Sequence, residues 1–335
     1  MKVIAIVQAR MSSTRLPEKV MRKIAGQPMI QILLERLSHA TNLDGIIVAT
    51  SKDKKNITLI NHLKAIGASY IIGDENDVLS RFLLAAESTK ADVVVRITGD
   101  CPLVDPVLVD RVVAEFIDSK SEYTSNISPP TFPDGLDVEV FSVNSLRKAH
   151  EETTDKYDRE HVTPYIRNSG QFKTTLVENS KDLSDHRWTV DEEADLTVIG
   201  NVFKHFAPKI LFGWKEVLQL TINKPELFLE NADIKRNEGE NLTQGQKLWK
   251  RAKKVIPGGN MLLSKRPEMF LPEKWPAYFS KAKDCYVWDL DGNKYTDMSI
   301  MGIGTNILGY GDPRVDEAVR ENLKNGNMST LNCPE

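Results

Sequence analysis

Cysteine is scarce in this chain, and nothing in its spacing pairs one with another. The 335 residues include only Cys101, Cys285 and Cys333, with no C-x-x-C spacing. Thiols scattered in this way favour neither a disulfide framework nor a zinc site. The sequence also lacks an apolar run of membrane-spanning length, and it starts on a strand without a signal-peptide pattern. We therefore expect a cytoplasmic protein that contacts no membrane.

Net charge is small, and the common catalytic signatures are missing. Lys and Arg number 44 against 47 Asp and Glu, for a formal charge of −3. Such a balance gives no electrostatic footprint for nucleic acid, so any phosphate binding must be local. The sequence contains no G-x-x-x-x-G-K-[ST], G-x-G-x-x-G, Gly-x-Ser-x-Gly or H-E-x-x-H pattern. These absences argue against P-loop, dinucleotide-binding, serine-hydrolase and zincin chemistry.

The first twenty residues hold the most informative pattern that is present. An apolar strand at 3–7 runs directly into a loop with three cations and small polar residues, namely Arg10, Arg15, Lys19, Ser12 and Ser13. The cations offset the charge of a triphosphate, and the small residues let backbone N–H groups approach phosphate oxygens. Taken alone, the loop is equally compatible with a solvated surface turn.

Strand-like and helix-like segments alternate through the first hundred residues. Strands are predicted at 3–7, 45–50, 70–72 and 92–97, and helices at 29–39, 56–65 and 78–87. This alternation predicts a doubly wound, mostly parallel, three-layer α/β/α fold. Ligands of such folds bind outside the carboxyl ends of the strands. Both the first loop and the loop at 98–102 follow strand ends of this kind.

Two acids lie just after segments that are predicted to be strands. Asp100 comes after the strand at 92–97, and Asp191 comes after Trp188-Thr189-Val190, which is also predicted as a strand. Two carboxylates that converge suit Mg²⁺, which completes its octahedron with phosphate oxygens and water. The alternative for each acid is an N-cap of the next helix, and the two roles are compatible.

Three further residues have two interpretations each. Asp77 and Arg81 stand four residues apart on a predicted helix, so they are either nucleotide ligands or a surface ion pair. His161 is either a base or a hydrogen-bonding partner on a helix face.

The composition and pattern of the sequence change twice after residue 120. A strand is predicted at 136–141, and helices at 158–166 and 195–206. The polar stretch at 233–246 has the composition of a linker. We therefore predict a domain at 1–232, a linker at 233–246, and a small, incomplete α+β tail at 247–335 with a hairpin at 285–298 and a helix at 315–324.

Six ordered motifs give residues 1–230 a family resemblance. The segments are 6–17 with Lys19, 73–81, 98–103, 134–141, 158–165 and 188–196. They resemble the cytidylyltransferases of surface-polysaccharide synthesis, in particular the spore-coat-polysaccharide branch. That branch is related to the synthetases of CMP-activated sialic and octulosonic acids. The chain departs from the sialic-acid synthetases at Met11-Ser12-Ser13, where they have a glycine-rich loop, so their acceptor is not carried over.

The resemblance implies a glycosyltransferase-A-like nucleotidyltransferase domain. It implies transfer of CMP from CTP to a sugar acid or a small phosphorylated acceptor, with release of pyrophosphate, by a homodimer. The implied catalytic residues are Arg15, Lys19 and Asp100, and Mg²⁺ would bind Asp100 and Asp191. The implied nucleotide ligands are Gln8, Ala9, Arg10, Ser12, Ser13, Arg15, Lys19, Asp77, Arg81 and Thr98. The implied acceptor ligands are Asp137, Glu139, Arg159 and His161.

The tail resembles another family. Residues 246–335, with their Pro257-Gly258-Gly259 and 287–298 segments, are similar to the start of class III aminotransferases of the glutamate-1-semialdehyde aminomutase type. In that family the phosphate cup and the Schiff-base lysine come later in the chain. The resemblance therefore implies pyridoxal phosphate only in a full-length parent protein.

Two other functions stay open at this point. A sugar-1-phosphate nucleotidyltransferase that uses another nucleoside triphosphate also fits the first loop. The alternative that is not an enzyme is a non-catalytic nucleotide-binding module of an aminotransferase fusion.

Overall fold

The computed structural model describes residues 1–13, 15–234, 236, 243–260, 262–272, 274–299 and 304–324. The chain forms two compact units, Met1–Arg236 and Asn237–Glu335. The first unit thus extends four residues past the predicted domain end at 232 (236 − 232 = 4). The predicted linker at 233–246 includes residues 235 and 237–242, which lie outside the described residues.

A seven-stranded sheet forms the centre of the first unit. Its strands are β1 (Val3–Gln8), β4 (Gly45–Ser51), β5 (Tyr70–Gly73), β6 (Val93–Thr98), β7 (Tyr123–Ser125), β8 (Glu139–Ser142) and β9 (Thr174–Leu176). The order across the sheet is β5-β4-β1-β6-β8-β7-β9. Only β8 runs antiparallel to its neighbours in this sheet. A short hairpin, β2 (Lys23–Ile24) with β3 (Gln27–Pro28), follows the first loop.

Helices cover both faces of this sheet. They are α1 (Met29–Leu37), α2 (Ile57–Ala65), α3 (Val78–Thr89), α4 (Pro106–Ser119), α5 (Val143–Glu152), α6 (Lys156–His161), α7 (Pro164–Asn168), α8 (Glu193–Phe206) and α9 (Trp214–Asn223). Alternate residues of β1 face opposite layers, because side chains of a strand alternate. Val7 packs in the core with α1, α4 and α8, and Ile6 in the core with α3 and α5. The predicted three-layer, mostly parallel α/β/α fold is confirmed.

Three predicted elements differ in the structure. The strand predicted at 136–141 begins only at Glu139, and the helix predicted at 158–166 is two helices, α6 and α7. Val162, at φ 73°, breaks that helix, and Pro164 starts the next one because proline lacks the N–H that a continuing helix needs. The strand predicted before Asp191 is wrong, since 188–190 is irregular.

The second unit contains α10 (Gln244–Val255), the antiparallel sheet β10 (Phe279–Lys283), β11 (Tyr286–Asp289) and β12 (Lys294–Thr296), and α11 (Pro313–Leu323). The predicted hairpin is confirmed as β11 and β12. Asp289 closes its turn by accepting hydrogen bonds from Asn293 and Tyr295. No helix within the described ranges is both long and apolar enough to cross a membrane.

Candidate active site

Lys19 is the centre of a charged cluster above the carboxyl end of the parallel strands. A short 3₁₀ turn (Lys19–Met21) follows the first loop and directs this side chain back over the sheet. Its Nζ lies 2.7 Å from Oδ2 of Asp100 and 2.8 Å from Oδ1 of Asp191. Burial alone would lower the pKa of Lys19, but the two carboxylates raise it above its usual value. Lys19 is therefore a fixed cation at neutral pH.

Asp100 and Asp191 reach Lys19 from different parts of the chain. Asp100 follows β6, and Val190 N–H donates to its carbonyl oxygen at 2.9 Å, which ties the two segments together. Burial would raise the pKa of Asp100, but Lys19 holds it well below its usual range. Arg15 reaches the same group, with Nη2 3.0 Å from Oδ1 of Asp191. The four predicted catalytic or metal residues, Arg15, Lys19, Asp100 and Asp191, thus form one cluster.

The N-cap alternatives for these two acids are wrong. The helix after Asp100 is α4, and it is capped by Asp105, whose side chain accepts from Leu108 N–H at 3.0 Å. The N-cap position of α8 belongs to Glu192 rather than to Asp191. Both carboxylates therefore point toward Lys19 and are not used in capping.

Gly99 lets the end of β6 approach the end of β1 closely enough to form this cluster. A Cβ at this position would lie 2.8 Å from the Gln8 carbonyl oxygen and 3.1 Å from Ala9 Cβ. Gly99 N–H also donates to Gln8 O at 2.8 Å. The space for a side chain is therefore closed by backbone, which cannot swing away as a side chain would.

We expect Gly99→Ala to lower the free energy of unfolding by about 1–3 kcal/mol, because the two strand ends must separate. Urea unfolding monitored by circular dichroism measures this. Gly200→Ala in α8 is the matched control, since apart from the adjoining backbone of its own helix nothing lies within 4 Å of the place that its new Cβ would occupy. There the change should stabilise by roughly 0.5–1 kcal/mol through helix propensity. Equal effects at the two positions would contradict the steric argument.

A second cluster holds the start of the first loop. Glu75 accepts hydrogen bonds from Ser12 Oγ at 2.7 Å, from Ser51 Oγ, and from Arg10 Nη1 at 3.3 Å. Burial would raise the pKa of Glu75, but its hydroxyl donors hold it below the usual value. Asn56 Oδ1 accepts from Met11 N–H at 2.8 Å. The loop is therefore anchored at one end on Asn56 and Glu75, which follow β4 and β5, and at the other end on the acids of the Lys19 cluster.

Arg81 is a buried cation beside this second cluster. It is fully buried, and its Nη1 donates to Asp74 O at 2.7 Å. Its Nε and Nη2 have no hydrogen-bond partner among the described residues. Burial lowers its pKa to about 10. The surface-pair alternative for Asp77 and Arg81 is wrong, since Asp77 caps α3 and pairs with Arg159 at 2.8 Å.

Four other residues that are predicted to bind nucleotide contact neighbouring groups of the protein. Gln8 Oε1 accepts from Arg96 Nη2 at 3.3 Å, and Thr98 Oγ1 lies 3.1 Å from Cys101 Sγ. Ser13 Oγ accepts from Leu16 N–H at 3.4 Å, and Ala9 is buried in the core. They line the strand ends of the site, and their predicted contacts with nucleotide stay predictions.

The four predicted acceptor residues, Asp137, Glu139, Arg159 and His161, are each held by contacts within the protein, and Asp137 pairs with Arg236 at 2.7 Å. Glu139 is buried, and its carboxylate pairs with Arg96 and accepts from Tyr123 OH at 2.7 Å and Thr163 Oγ1 at 2.6 Å. It therefore anchors β8 to its neighbours and does not face an open acceptor site. Arg159 lies with Asp77, and the His161 ring packs 4.3 Å from that of Tyr157 at the end of α6.

Comparison with known proteins places this arrangement in a family. A family model described as cytidylyltransferase matches residues 4–195, more than half of the chain. The chain belongs to the cytidylyltransferase family. An uncharacterised protein of Methanocaldococcus jannaschii, MJ1063, is 35% identical over 239 residues, which is 70% of this chain and 97% of that protein. The spore coat polysaccharide biosynthesis protein SpsF of Bacillus subtilis is 30% identical over 237 residues, 68% of this chain and 97% of its own.

A solved structure supports the same placement. A cytidylyltransferase from Leptospira borgpetersenii superposes with a TM-score of 0.67 at 30% identity, and the match covers 70% of this chain and 100% of that one. Cytidylyltransferase membership thus rests on a family model, on sequence relatives and on a shared fold.

The chain also contains an ionic network that the sequence analysis missed. Arg187 Nε lies 2.8 Å from Asp195 Oδ1, Nη1 lies 3.3 Å from Asp134 Oδ2, and Nη2 lies 3.5 Å from Asp191 Oδ2. Asn231 Nδ2 donates to Asp195 Oδ1 at 2.9 Å. The sequence signal was that Arg187 directly precedes, and Asp195 lies within, the 188–196 segment that contains Asp191. Through Arg187, this network helps to hold Asp191 in place.

Asp134 gives the protein a testable pH dependence. Burial and the nearby Asp137 raise the pKa of Asp134 to about 7. The folded state then holds a proton that the unfolded chain releases near pH 4. The protonated Asp134 contributes its full stabilisation below about pH 4, and this stabilisation is lost as the pH rises toward 7. Over that range the free energy of unfolding falls by at most about 1.4 kcal/mol per pH unit.

We expect Asp134→Asn to remove this slope, so that wild type loses stability relative to the variant as pH rises from 4 to 7. Urea unfolding at pH 4.5, 6 and 7.5 measures the free energy of unfolding of wild type and of the variant. Asp185→Asn, at an exposed position nearby, is the control and should change no slope. A parallel pH dependence of wild type and Asp134→Asn would show that Asp134 is ionised throughout this range.

Proposed function

We propose that this protein is a Mg²⁺-dependent cytidylyltransferase that transfers CMP from CTP to a sugar acid or a small phosphorylated acceptor. The observation that carries the proposal is the convergence of Asp100 and Asp191 on Lys19 Nζ, with Arg15 on the same acid. Cations for a triphosphate and carboxylates for a metal then lie at one strand end. Family membership supports CTP as the nucleotide.

The donor set fits Mg²⁺. Among the described residues no group of three or more His, Cys, Asp or Glu is arranged to hold a metal. Mg²⁺ does not require one, since it commonly binds one or two carboxylates together with substrate phosphates and water. Asp100 and Asp191 supply two carboxylates that already face one cation. When bound there, Mg²⁺ would neutralise charge on the phosphate oxygens.

The side chains of the protein act by positioning and by charge. Lys19, Arg15 and Arg10 hold phosphate oxygens and offset charge on the leaving pyrophosphate. An acceptor oxygen attacks the α-phosphorus, a new P–O bond forms, and the bond from that phosphorus to the bridging oxygen breaks. The acceptor releases its proton, and pyrophosphate leaves with the electron pair. Holding both substrates in line supplies much of the rate, without a covalent enzyme intermediate.

Arg81 supports a specific nucleotide site near Asp77. A buried guanidinium with unused Nε and Nη2 donors costs free energy unless a ligand accepts those hydrogen bonds. Carbonyl and ring-nitrogen acceptors of a pyrimidine base meet this need, and so do ribose or phosphate oxygens. We propose that Arg81, together with Asp77, contributes to nucleotide binding.

Pyrophosphate release tests the proposal directly. The 335-residue protein is incubated with each of the four nucleoside triphosphates, with and without Mg²⁺, against sugar acids, sugar phosphates and phosphonates. Pyrophosphate release is expected with CTP but with none of the other three triphosphates, and only when Mg²⁺ is present. Turnover with another triphosphate and a sugar 1-phosphate would favour the alternative nucleotidyltransferase. A melting temperature that a triphosphate raises, without turnover with any acceptor, would favour a non-catalytic nucleotide-binding module.

Two finer assignments are proposals as well. The similarity to SpsF supports a product used in surface-polysaccharide synthesis. The aminotransferase resemblance of residues 247–335 stays a prediction, because the family model ends at residue 195 and does not reach the tail.

A further inference from the structure

The ammonium group of Lys19 lies where the proposed function places a metal ion. Its Nζ contacts one oxygen of each carboxylate, at 2.7 Å from Asp100 Oδ2 and 2.8 Å from Asp191 Oδ1. Mg²⁺ binds carboxylate oxygens at about 2.0–2.1 Å. An ion on the same Asp100 oxygen would therefore lie within about 4.8 Å of Nζ, the sum of the two distances. Two cations would then compete for the same two carboxylates.

Protein cations also contact the other oxygen of Asp191. Arg15 Nη2 lies 3.0 Å from Asp191 Oδ1, the oxygen that Lys19 contacts as well. Arg187 Nη2 lies 3.5 Å from Asp191 Oδ2. The side chains of Lys19 and Asp191 are each only 15% exposed, so water screens these charges weakly. Two carboxylates that Lys19 and Arg15 already balance attract a free divalent ion little.

A triphosphate changes this balance. It carries several negative charges, and its oxygens form charge-assisted hydrogen bonds with an ammonium group, as carboxylates do. The side chain of Lys19 has a flexible four-carbon stem, so its Nζ can move without a change in the backbone. Once Nζ contacts phosphate oxygens, Asp100 and Asp191 both face the space that it has left. The phosphates then supply further oxygen ligands of the kind that Mg²⁺ requires.

On the basis of the cytidylyltransferase function proposed above, we propose that Lys19 excludes Mg²⁺ from the free protein and that CTP opens the metal site by drawing Lys19 to its phosphates. Lys19 thus has two successive partners, the carboxylates in the free protein and the phosphates in the complex. The binding of Mg²⁺ and the binding of CTP are then coupled, and each strengthens the other by the same factor. The metal binds with the nucleotide or after it.

The first measurement is metal binding to the 335-residue protein without nucleotide or acceptor. Isothermal titration with Mg²⁺ compares wild type with Lys19→Met and Lys19→Arg, and Lys23→Met, at an exposed position of β2, is the matched control. Lys19→Met removes the charge but keeps a flexible stem. It should bind Mg²⁺ roughly 5- to 150-fold more tightly than wild type, the range of ordinary coupling between two sites. Lys19→Arg and Lys23→Met should bind Mg²⁺ as weakly as wild type.

A double variant locates the ion that Lys19→Met gains. Lys19→Met combined with Asp100→Asn should lose the tighter binding of Mg²⁺, because one of the two carboxylates is gone. The melting temperature of Lys19→Met should rise with Mg²⁺ alone, which also shows that this variant is folded.

The second measurement uses wild type only, so it does not depend on the folding of any variant. CTP is titrated without acceptor, once with Mg²⁺ and once with EDTA, and Mg²⁺ should tighten CTP binding roughly 5- to 150-fold. The melting temperature should rise with Mg²⁺ and CTP together but not with Mg²⁺ alone. Equal affinity for CTP under both conditions would overturn the proposal.

The outcomes separate this exchange from the proposed function. Turnover of CTP, together with Mg²⁺ that binds nucleotide-free wild type as tightly as Lys19→Met, would overturn the exchange and keep the function. Tighter binding in Lys19→Met that survives Asp100→Asn would place the ion elsewhere and would also overturn the exchange. Coupled binding of Mg²⁺ and CTP, without pyrophosphate release with any acceptor, would support the exchange and overturn the proposed function.

Discussion

Asp100→Asn is expected to lower CTP-dependent pyrophosphate release by roughly 100- to 1,000-fold while the protein stays folded. The amide keeps the shape of the side chain but removes one of two carboxylates that face the cation position. The metal would then keep only Asp191, and Lys19 would lose its partner at 2.7 Å. Steady-state turnover at saturating CTP, measured across a Mg²⁺ titration, gives the effect on kcat and on the Mg²⁺ requirement.

The control for this variant is Asp118→Asn, which makes the same chemical change at an exposed position of α4. It should behave as wild type. Thermal unfolding of both variants separates loss of chemistry from loss of fold. A folded Asp100→Asn protein with full activity would contradict the metal assignment and leave Lys19 and Arg15 to act without it.

The parts of the fold that the sequence predicts best are those with strong local patterns. Mostly apolar runs identified β1, β4 and β6, because strands buried on both faces carry few polar residues. Their carboxyl ends then placed the first loop and Asp100 on one edge of the sheet. The segment before Asp191 failed this reasoning. Its apolar residues fit a strand, but Trp188 N–H donates to the Asp134 carbonyl and Val190 N–H to the Asp100 carbonyl, and neither belongs to a strand ladder.

Residues that act through long-range pairing were beyond sequence reasoning. Arg236 falls in a stretch whose polar composition predicts a linker, yet its guanidinium pairs with Asp137. Composition reports how exposed a segment tends to be and carries no information on which distant acid a single arginine meets. The burial of Glu139 is a second case. The resemblance implied an acceptor ligand at this position, whereas Arg96, Tyr123 and Thr163 satisfy the carboxylate inside the protein.

Asp195→Ala should be the most destabilising single change in this network, lowering the free energy of unfolding by about 3–5 kcal/mol. Asp195 is fully buried and accepts from Arg187, from Asn231 and from the N–H groups of Asp191 and Glu192. Removing the carboxylate leaves the buried Arg187 with contacts of only 3.3 and 3.5 Å to its other acids. Urea unfolding of wild type and variant measures the loss.

Glu193→Ala is the matched control, because it removes a carboxylate from the same turn of α8 at an exposed position. Its ion pair with Arg22 lies at the surface and should contribute less than about 1 kcal/mol. Asp195→Asn should fall between the two, since it retains hydrogen-bond acceptors but loses the charge. If Asp195→Ala and Glu193→Ala destabilised equally, Arg187 would not depend on Asp195. Asp191 would then owe its position to Lys19 and Arg15 alone.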